Sequence, residues 1–252
     1  MKPQVLSVSK AKEFHGLFNK KNRDREGLFI VEGEKNVADT LVAFDLEALV
    51  CTDEWFDNNS TLVNEGNKVF IADAKKMGMV SSLNCPPDVL AVFKKRVDSE
   101  IIPKLPTESI YVLLDEIQDP GNLGTIIRTC DWFGVYDIFA SRNTVDVYSP
   151  KVVQATMGSL SRVKVHYIDL KELIEKNKGI KVIGAVLDGK PLTSFDKMQS
   201  GLLLLGNEGR GISQELKELI DIPLTIEPLN PLKHPDSLNV AVSAAIILSH
   251  LI

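Results

Sequence analysis

With 252 residues, 44% of them hydrophobic and 25% charged, the chain has the makings of a globular protein. It is long enough for one large domain or two of about 100 to 150 residues, each able to bury its own core. A net charge of −5, divided as 15 Lys/Arg against 16 Asp/Glu over residues 1–105 and 14 against 18 beyond, excludes a protein that coats nucleic acid by overall basicity. Three scattered cysteines (Cys51, Cys85, Cys130) without a CxxC pair argue against a disulfide framework or a zinc site. The N-terminus lacks signal-peptide character and no apolar run reaches roughly 20 residues, so a cytoplasmic protein with reduced thiols is expected.

In chain order, the first 25 residues hold seven basic side chains, Lys2, Lys10, Lys12, Lys20, Lys21, Arg23 and Arg25, against Glu13 and Asp24. This is either a solvated helix face or a local patch for a polyanion. The apolar spacing predicts a helix around 7–20, a strand LFIV at 28–31, a helix around 34–44 and a strand at 46–51. Further strands fit 68–71 and 89–93, which together suggest a small α/β domain over 1–100. The polar, proline-containing DSEIIPKLPTES (98–109) follows, with the linker assigned to 101–108 and a second domain to 109–252.

The second domain opens with IYVLLDEI (110–117), whose near-continuous apolar character suits a parallel strand covered on both faces. A helix follows, with Asn122 as the expected N-cap and Gly134 as its stop. Strands fit 135–140, 163–168, 181–187 and 201–205. Helices are expected to open at Ser149-Pro150, near Asp169 and after Gly211. The final SLNVAVSAAIILSHLI is apolar on nearly every side, which predicts burial against its own sheet and against a second subunit.

Three segments carry chemistry. LLLLGNEGRGIS (202–213) follows an apolar strand and opens a helix, where backbone N–H groups can meet a ligand. Its glycines read GxxGxG with no GK[ST], however, so neither a dinucleotide fingerprint nor a P-loop is matched, and a nucleotide-dependent phosphotransferase is disfavoured. DPGNLGTIIRT (119–129) turns after the buried strand and places Arg128 on the next helix. PDSLNVAVSAA (235–245) offers Asp236 or Ser237 as a helix cap. Singly, each has an ordinary structural explanation.

Together, in this order and spacing, the three resemble the signature motifs of the SpoU/TrmH family of RNA 2′-O-ribose methyltransferases, and LFIVEGEKNVADTL (28–41) resembles the family's N-terminal substrate-binding domain, similar to ribosomal protein L30e. The resemblance implies an α/β fold with a C-terminal parallel sheet tied in a deep trefoil knot, a homodimer, and S-adenosylmethionine as cofactor. It implies contacts to that cofactor at Leu205, Gly206, Gly211, Ile226 and Leu238, and functional polar side chains at Asn122, Arg128, Glu208, Ser237 and Asn239. Arg128 would favour charge developing on the ribose oxygen, because a guanidinium does not readily release its proton. The implied substrate is RNA, ribosomal more than transfer, met through Lys10, Lys12, Lys20, Lys21, Arg23 and Arg25. A non-catalytic RNA-binding protein on the same fold is the rival. One departure is TIEPLNPLKHPDSLN (225–239), where Glu227 intervenes and the loop is longer. That leaves Leu229 as a rival to Ile226 and brings Lys233 and His234 near the site.

Overall fold

The computed structural model describes residues 3–64, 66–97, 101–230, 233 and 235–252; Lys2 and His234, both singled out above, lie outside the described residues. The chain forms two compact units, Met1–Val97 with Asp146–Ser161, and Asp98–Val145 with Arg162–Ile252.

In the first unit, β1 (Gln4–Val5) precedes α1 (Val8–His15), α2 (Lys20–Glu26), β2 (Leu28–Glu32), α3 (Glu34–Leu41), β3 (Leu46–Cys51), α4 (Asp53–Asn59), β4 (Val69–Ile71), α5 (Ala74–Val80) and β5 (Val89–Lys94). The strands lie in the order β1-β4-β3-β5-β2, with β5 antiparallel to both β2 and β3. The helix predicted over 7–20 breaks into two. Ser7 caps α1 through Lys10 N–H at 3.1 Å, and Gly16–Phe18 form a single 3₁₀ turn. Asn19 then caps α2. Leu6, Ala11, Phe14 and Leu17 fill the core with Ile30, Val50, Leu90 and Val92.

This division overturns one expectation. Arg23 is 3% exposed and contributes nothing to a surface patch. Its Nε and Nη2 donate to Asp146 Oδ2 at 3.2 and 2.6 Å, and its Nη1 to the carbonyls of Leu17 and Phe18 at 3.0 and 2.9 Å. All three guanidinium nitrogens are thereby engaged, because a buried cation is tolerated only when it is paired and hydrogen-bonded. Lys12, Lys20, Lys21 and Arg25 remain exposed, while Lys10 pairs with Glu13 at 2.6 Å.

The second unit contains β6 (Ile110–Leu114), α6 (Pro120–Trp132) and β7 (Asp137–Ala140). The chain then passes through α7 (Pro150–Thr156), which belongs to the first unit, and returns as β8 (Lys164–Tyr167), α8 (Leu170–Lys176), β9 (Val182–Pro191), β10 (Gly201–Leu205), α9 (Gln214–Lys217), β11 (Ile222–Thr225) and α10 (Val240–Leu251). All neighbours in the order β11-β9-β10-β6-β7-β8 are parallel. The chain is thus an α/β protein with a C-terminal parallel sheet. Both β6 and β10 are buried along their whole length, which explains their unbroken apolar sequences. Tyr111, Leu113, Leu202 and Leu204 share a core with Leu173, Ile212 and Leu216 on one face. Ile102 and Leu105, from the segment read as a linker, lie in that core.

Cys51 and Cys130 are buried free thiols. Burial pushes Cys51 up to about 12, and Cys130, wholly enclosed within α6, up as well; Cys85 is exposed. No helix among the described residues is long and apolar enough to cross a membrane.

Candidate functional site

Strand β6 is flanked by β7, which follows it in sequence, and by β10, which is reached only after β8 and β9. The chain therefore leaves β6 in one direction and returns on the other side. Between β6 and β10 the sheet has its topological switch point, where loops diverge and leave a crevice beyond the carboxyl ends of the strands. Leu114 and Leu205 are register partners at those ends, so the loops after β6 and β10 start side by side.

The first loop leads into α6. Asp119, not Asn122, is the N-cap: its Oδ1 accepts from Asn122 N–H at 2.8 Å, and Pro120 follows at a position where its missing N–H costs no bond. Asn122 sits at the third helical position, and its side chain is free to face across the crevice. Its Nδ2 donates to Glu208 Oε1 at 2.9 Å, while its Oδ1 accepts from Asn239 Nδ2 at 2.8 Å. Glu208 also accepts from the backbone N–H groups of Gln118 and Asp119, each at 3.4 Å, so a carboxylate faces the positive end of α6. Asn239, rather than Asp236 or Ser237, caps α10, its Oδ1 accepting from Ala241 and Val242 N–H at 2.9 and 3.3 Å. The last helix thus begins at Val240, and it packs along α6. Three of the five polar residues singled out in the sequence form one hydrogen-bonded chain, Glu208–Asn122–Asn239, drawn from three separate motifs.

The other two stand apart. Arg128 lies six residues beyond Asn122 on α6, about 9 Å along the helix axis. It is exposed and has no hydrogen bond or ion pair among the described residues. Ser237 is likewise exposed and unpaired among them.

The glycine-rich loop closes on itself. Asn207 and Gly211 exchange both backbone hydrogen bonds, at 3.0 and 2.9 Å, and Asn207 Oδ1 accepts from Gly209 and Arg210 N–H at 3.0 and 3.1 Å. Gly211 adopts φ 70°, and a Cβ on Gly206 would collide with the backbone of Gly211 and Ile212. Both glycines are thus required by the loop itself. Replacement of Gly206 by alanine should cost about 2 kcal/mol, because backbone atoms cannot swing aside as a side chain can. The denaturant midpoint measures this, and an unshifted midpoint would mean the loop reopens at no cost. Beyond the loop, Ser213 N–H donates to the buried Asp115 Oδ2 at 2.7 Å.

Among the positions expected to meet a cofactor, Leu205 is buried and its carbonyl accepts from Asp115 N–H at 2.9 Å. Gly206 and Ile226 are half-buried. Leu229 and Leu238 both turn apolar side chains to solvent. Asp115, Glu116 and Asn207 join the site although the sequence does not single them out. Two acids closing an apolar strand were the available signal.

The model of the SpoU rRNA methylase family matches residues 109–249, and that of the MRM3-like substrate binding domain residues 9–91. A 23S rRNA (guanosine(2553)-2′-O)-methyltransferase of Bacillus subtilis, RlmP, is 31% identical over 96% of this chain and 95% of its own. The structure is similar to that of a TrmH RNA methyltransferase family protein from Porphyromonas gingivalis (36% identity, TM-score 0.84, 97% of each chain). It is also similar to that of an AdoMet-bound rRNA methyltransferase from Sinorhizobium meliloti (29% identity, TM-score 0.85, 97% of this chain and 95% of that one). The chain belongs to the SpoU rRNA methylase family.

Proposed function

We propose that this protein transfers a methyl group from S-adenosylmethionine to a ribose 2′-hydroxyl of ribosomal RNA. The observation that carries the reading is the Glu208–Asn122–Asn239 chain, which ties all three motifs together at the switch point of the parallel sheet. The composition of the neighbouring loops fits the cofactor. Gly206 and Gly211 leave backbone bare of side chains, and Ile226 and Leu238, with Leu229 as the rival contact, offer apolar surface for an adenosine ring face. When bound, S-adenosylmethionine supplies an activated methyl group.

The protein's own task is orientation and charge. Asn122 and Asn239 fix the start of α6 and α10 relative to Glu208, and Ser237 is free to meet the ribose. Arg128, exposed and without a partner among the described residues, stabilises charge on the 2′-oxygen or a neighbouring phosphate. RNA is held in part by Lys10, Lys12, Lys20, Lys21 and Arg25 of the first unit, where Lys12, Lys20 and Lys21 have no ion pair among the described residues. A homodimer belongs to the same reading: Trp132 on α6 is 86% exposed and Val242 on α10 is half-exposed, apolar surface that a second copy would cover. With it go the knotted path of the C-terminal loops implied by the resemblance and a cytoplasmic location.

Calorimetry with S-adenosylmethionine, together with mapping of 2′-O-methyl sites in RNA from cells with and without the gene, tests the reading. Micromolar binding and one ribosomal site lost on deletion are expected. An unchanged ribosomal pattern with a lost transfer RNA site would reassign the substrate, and absent binding would sink the enzyme reading altogether.

A further inference from the structure

At the end of β6, Glu116 turns into the left-handed region, with φ 55°, a conformation that glycine adopts freely and a glutamate only at a cost. The contacts of Glu116 show what the residue does there. Its N–H donates to Ser141 Oγ at 2.8 Å, and its Oε1 accepts from Asn143 Nδ2 at 2.9 Å. Its Oε2 accepts from Arg210 Nη2 at 2.7 Å, and its carbonyl oxygen accepts from Asn207 Nδ2 at 2.8 Å. One residue thus joins the loop after β6, the loop after β7 and the glycine-rich loop. Asn207 and Arg210 flank Glu208, so the tie to Glu116 and the tie from Glu208 to Asn122 clamp the same short loop from two directions.

We propose that Glu116 is a positioning residue for the cofactor, holding the glycine-rich loop in its receptive shape through Arg210 and Asn207 before the ligand arrives. The physical basis is preorganisation. The six-residue loop Gly206–Gly211, with three glycines, has many conformations to lose on binding, and pinning it beforehand lowers that cost. Backbone geometry alone would be met better by glycine at 116. A glutamate kept there against its own φ preference is accounted for by the carboxylate, which reaches both loops at once. The inference rests on the reading of this loop as the S-adenosylmethionine site.

The test separates the side chain from the backbone. Glu116→Gly relieves the φ preference while removing the carboxylate, so its Tm should equal or exceed that of the parent. Its KM for S-adenosylmethionine should rise about fivefold while kcat stays within about twofold, the scale expected for a partly exposed ion pair. Arg210→Ala should reproduce this split, and the double variant should add nothing to either single one, as for two residues acting through one contact. Glu116→Gln, which retains an acceptor for Asn143 but not the charge for Arg210, should fall between. An unchanged KM in Glu116→Gly, or additive effects in the double variant, would overturn the proposal while leaving the methyltransferase reading intact. A parent protein that binds no S-adenosylmethionine by calorimetry would overturn both.

Discussion

Replacement of Arg128 by alanine should lower the rate of RNA methylation by about 10²- to 10³-fold, the loss typical of removing one donor aimed at developing charge. Affinity for S-adenosylmethionine should be nearly unchanged. So should stability, which is expected to stay within about 0.5 kcal/mol, because the side chain is exposed and makes no bond among the described residues for the fold to lose. The same isolation makes the result informative: a residue with no structural task that abolishes turnover has a chemical one. Arg128→Lys retains the positive charge and gives up the planar fork, so partial activity in that variant would indicate charge, and none would indicate geometry. Methylation at the parental rate in Arg128→Ala would remove this residue from the reaction.

The second large effect is expected at Arg23, and it is one of stability. Arg23→Ala should destabilise the first unit by about 3 kcal/mol, because it leaves Asp146 as a nearly buried carboxylate without its partner and strips the Leu17 and Phe18 carbonyls of their donor. Thermal unfolding should register a drop of about 10 °C. Replacing both partners by apolar residues, Arg23→Met with Asp146→Leu, should cost less than the single change, since no charge is then stranded. RNA binding by the folded variant should keep its salt dependence. If Arg23→Ala melts like the parent but binds RNA with a shallower salt slope, the side chain is a surface cation and the buried pair does not exist in solution.

Legibility followed the length and exclusiveness of each signal. Strand β10 was bounded at 201–205 in the sequence as in the structure, because five consecutive fully buried residues between a serine and a glycine leave no competing reading. Strand β3 has the same bounds in both, 46–51, although only Ala48–Cys51 are buried and Glu47 interrupts the apolar run. The seven-residue helices α2, α4 and α5 have no counterpart among the elements the sequence predicts, nor have the two-residue β1 and four-residue β11. Elements this short fall below the window over which a period can be distinguished from chance, and the equally short α7 and α8 are legible only through their opening residues, Ser149-Pro150 and Asp169. At both ends of the site the cap is a different residue from the one expected, Asp119 for Asn122 and Asn239 for Asp236 or Ser237. Asp119 and Asn122 are each competent caps by type, as are Asp236, Ser237 and Asn239, and only the local backbone selects among them.

By itself, the sequence determined that the chain alternates strands and helices, that its central strands are buried on both faces, and that it carries three family motifs bearing Asn122, Arg128, Glu208 and Asn239. These properties reside in the order of side chains along a few consecutive residues. Tertiary structure alone decided which of them meet. It brought Asn122, Glu208 and Asn239 into one hydrogen-bonded chain across a sheet switch point and left Arg128 unengaged on its helix. It withdrew Arg23 from a basic surface into an ion pair with Asp146, 123 residues away, and placed Glu116 between three loops. Nothing local distinguishes an arginine of a basic stretch that lies on the surface from one that is buried, because the charge that satisfies it arrives from a distant part of the chain.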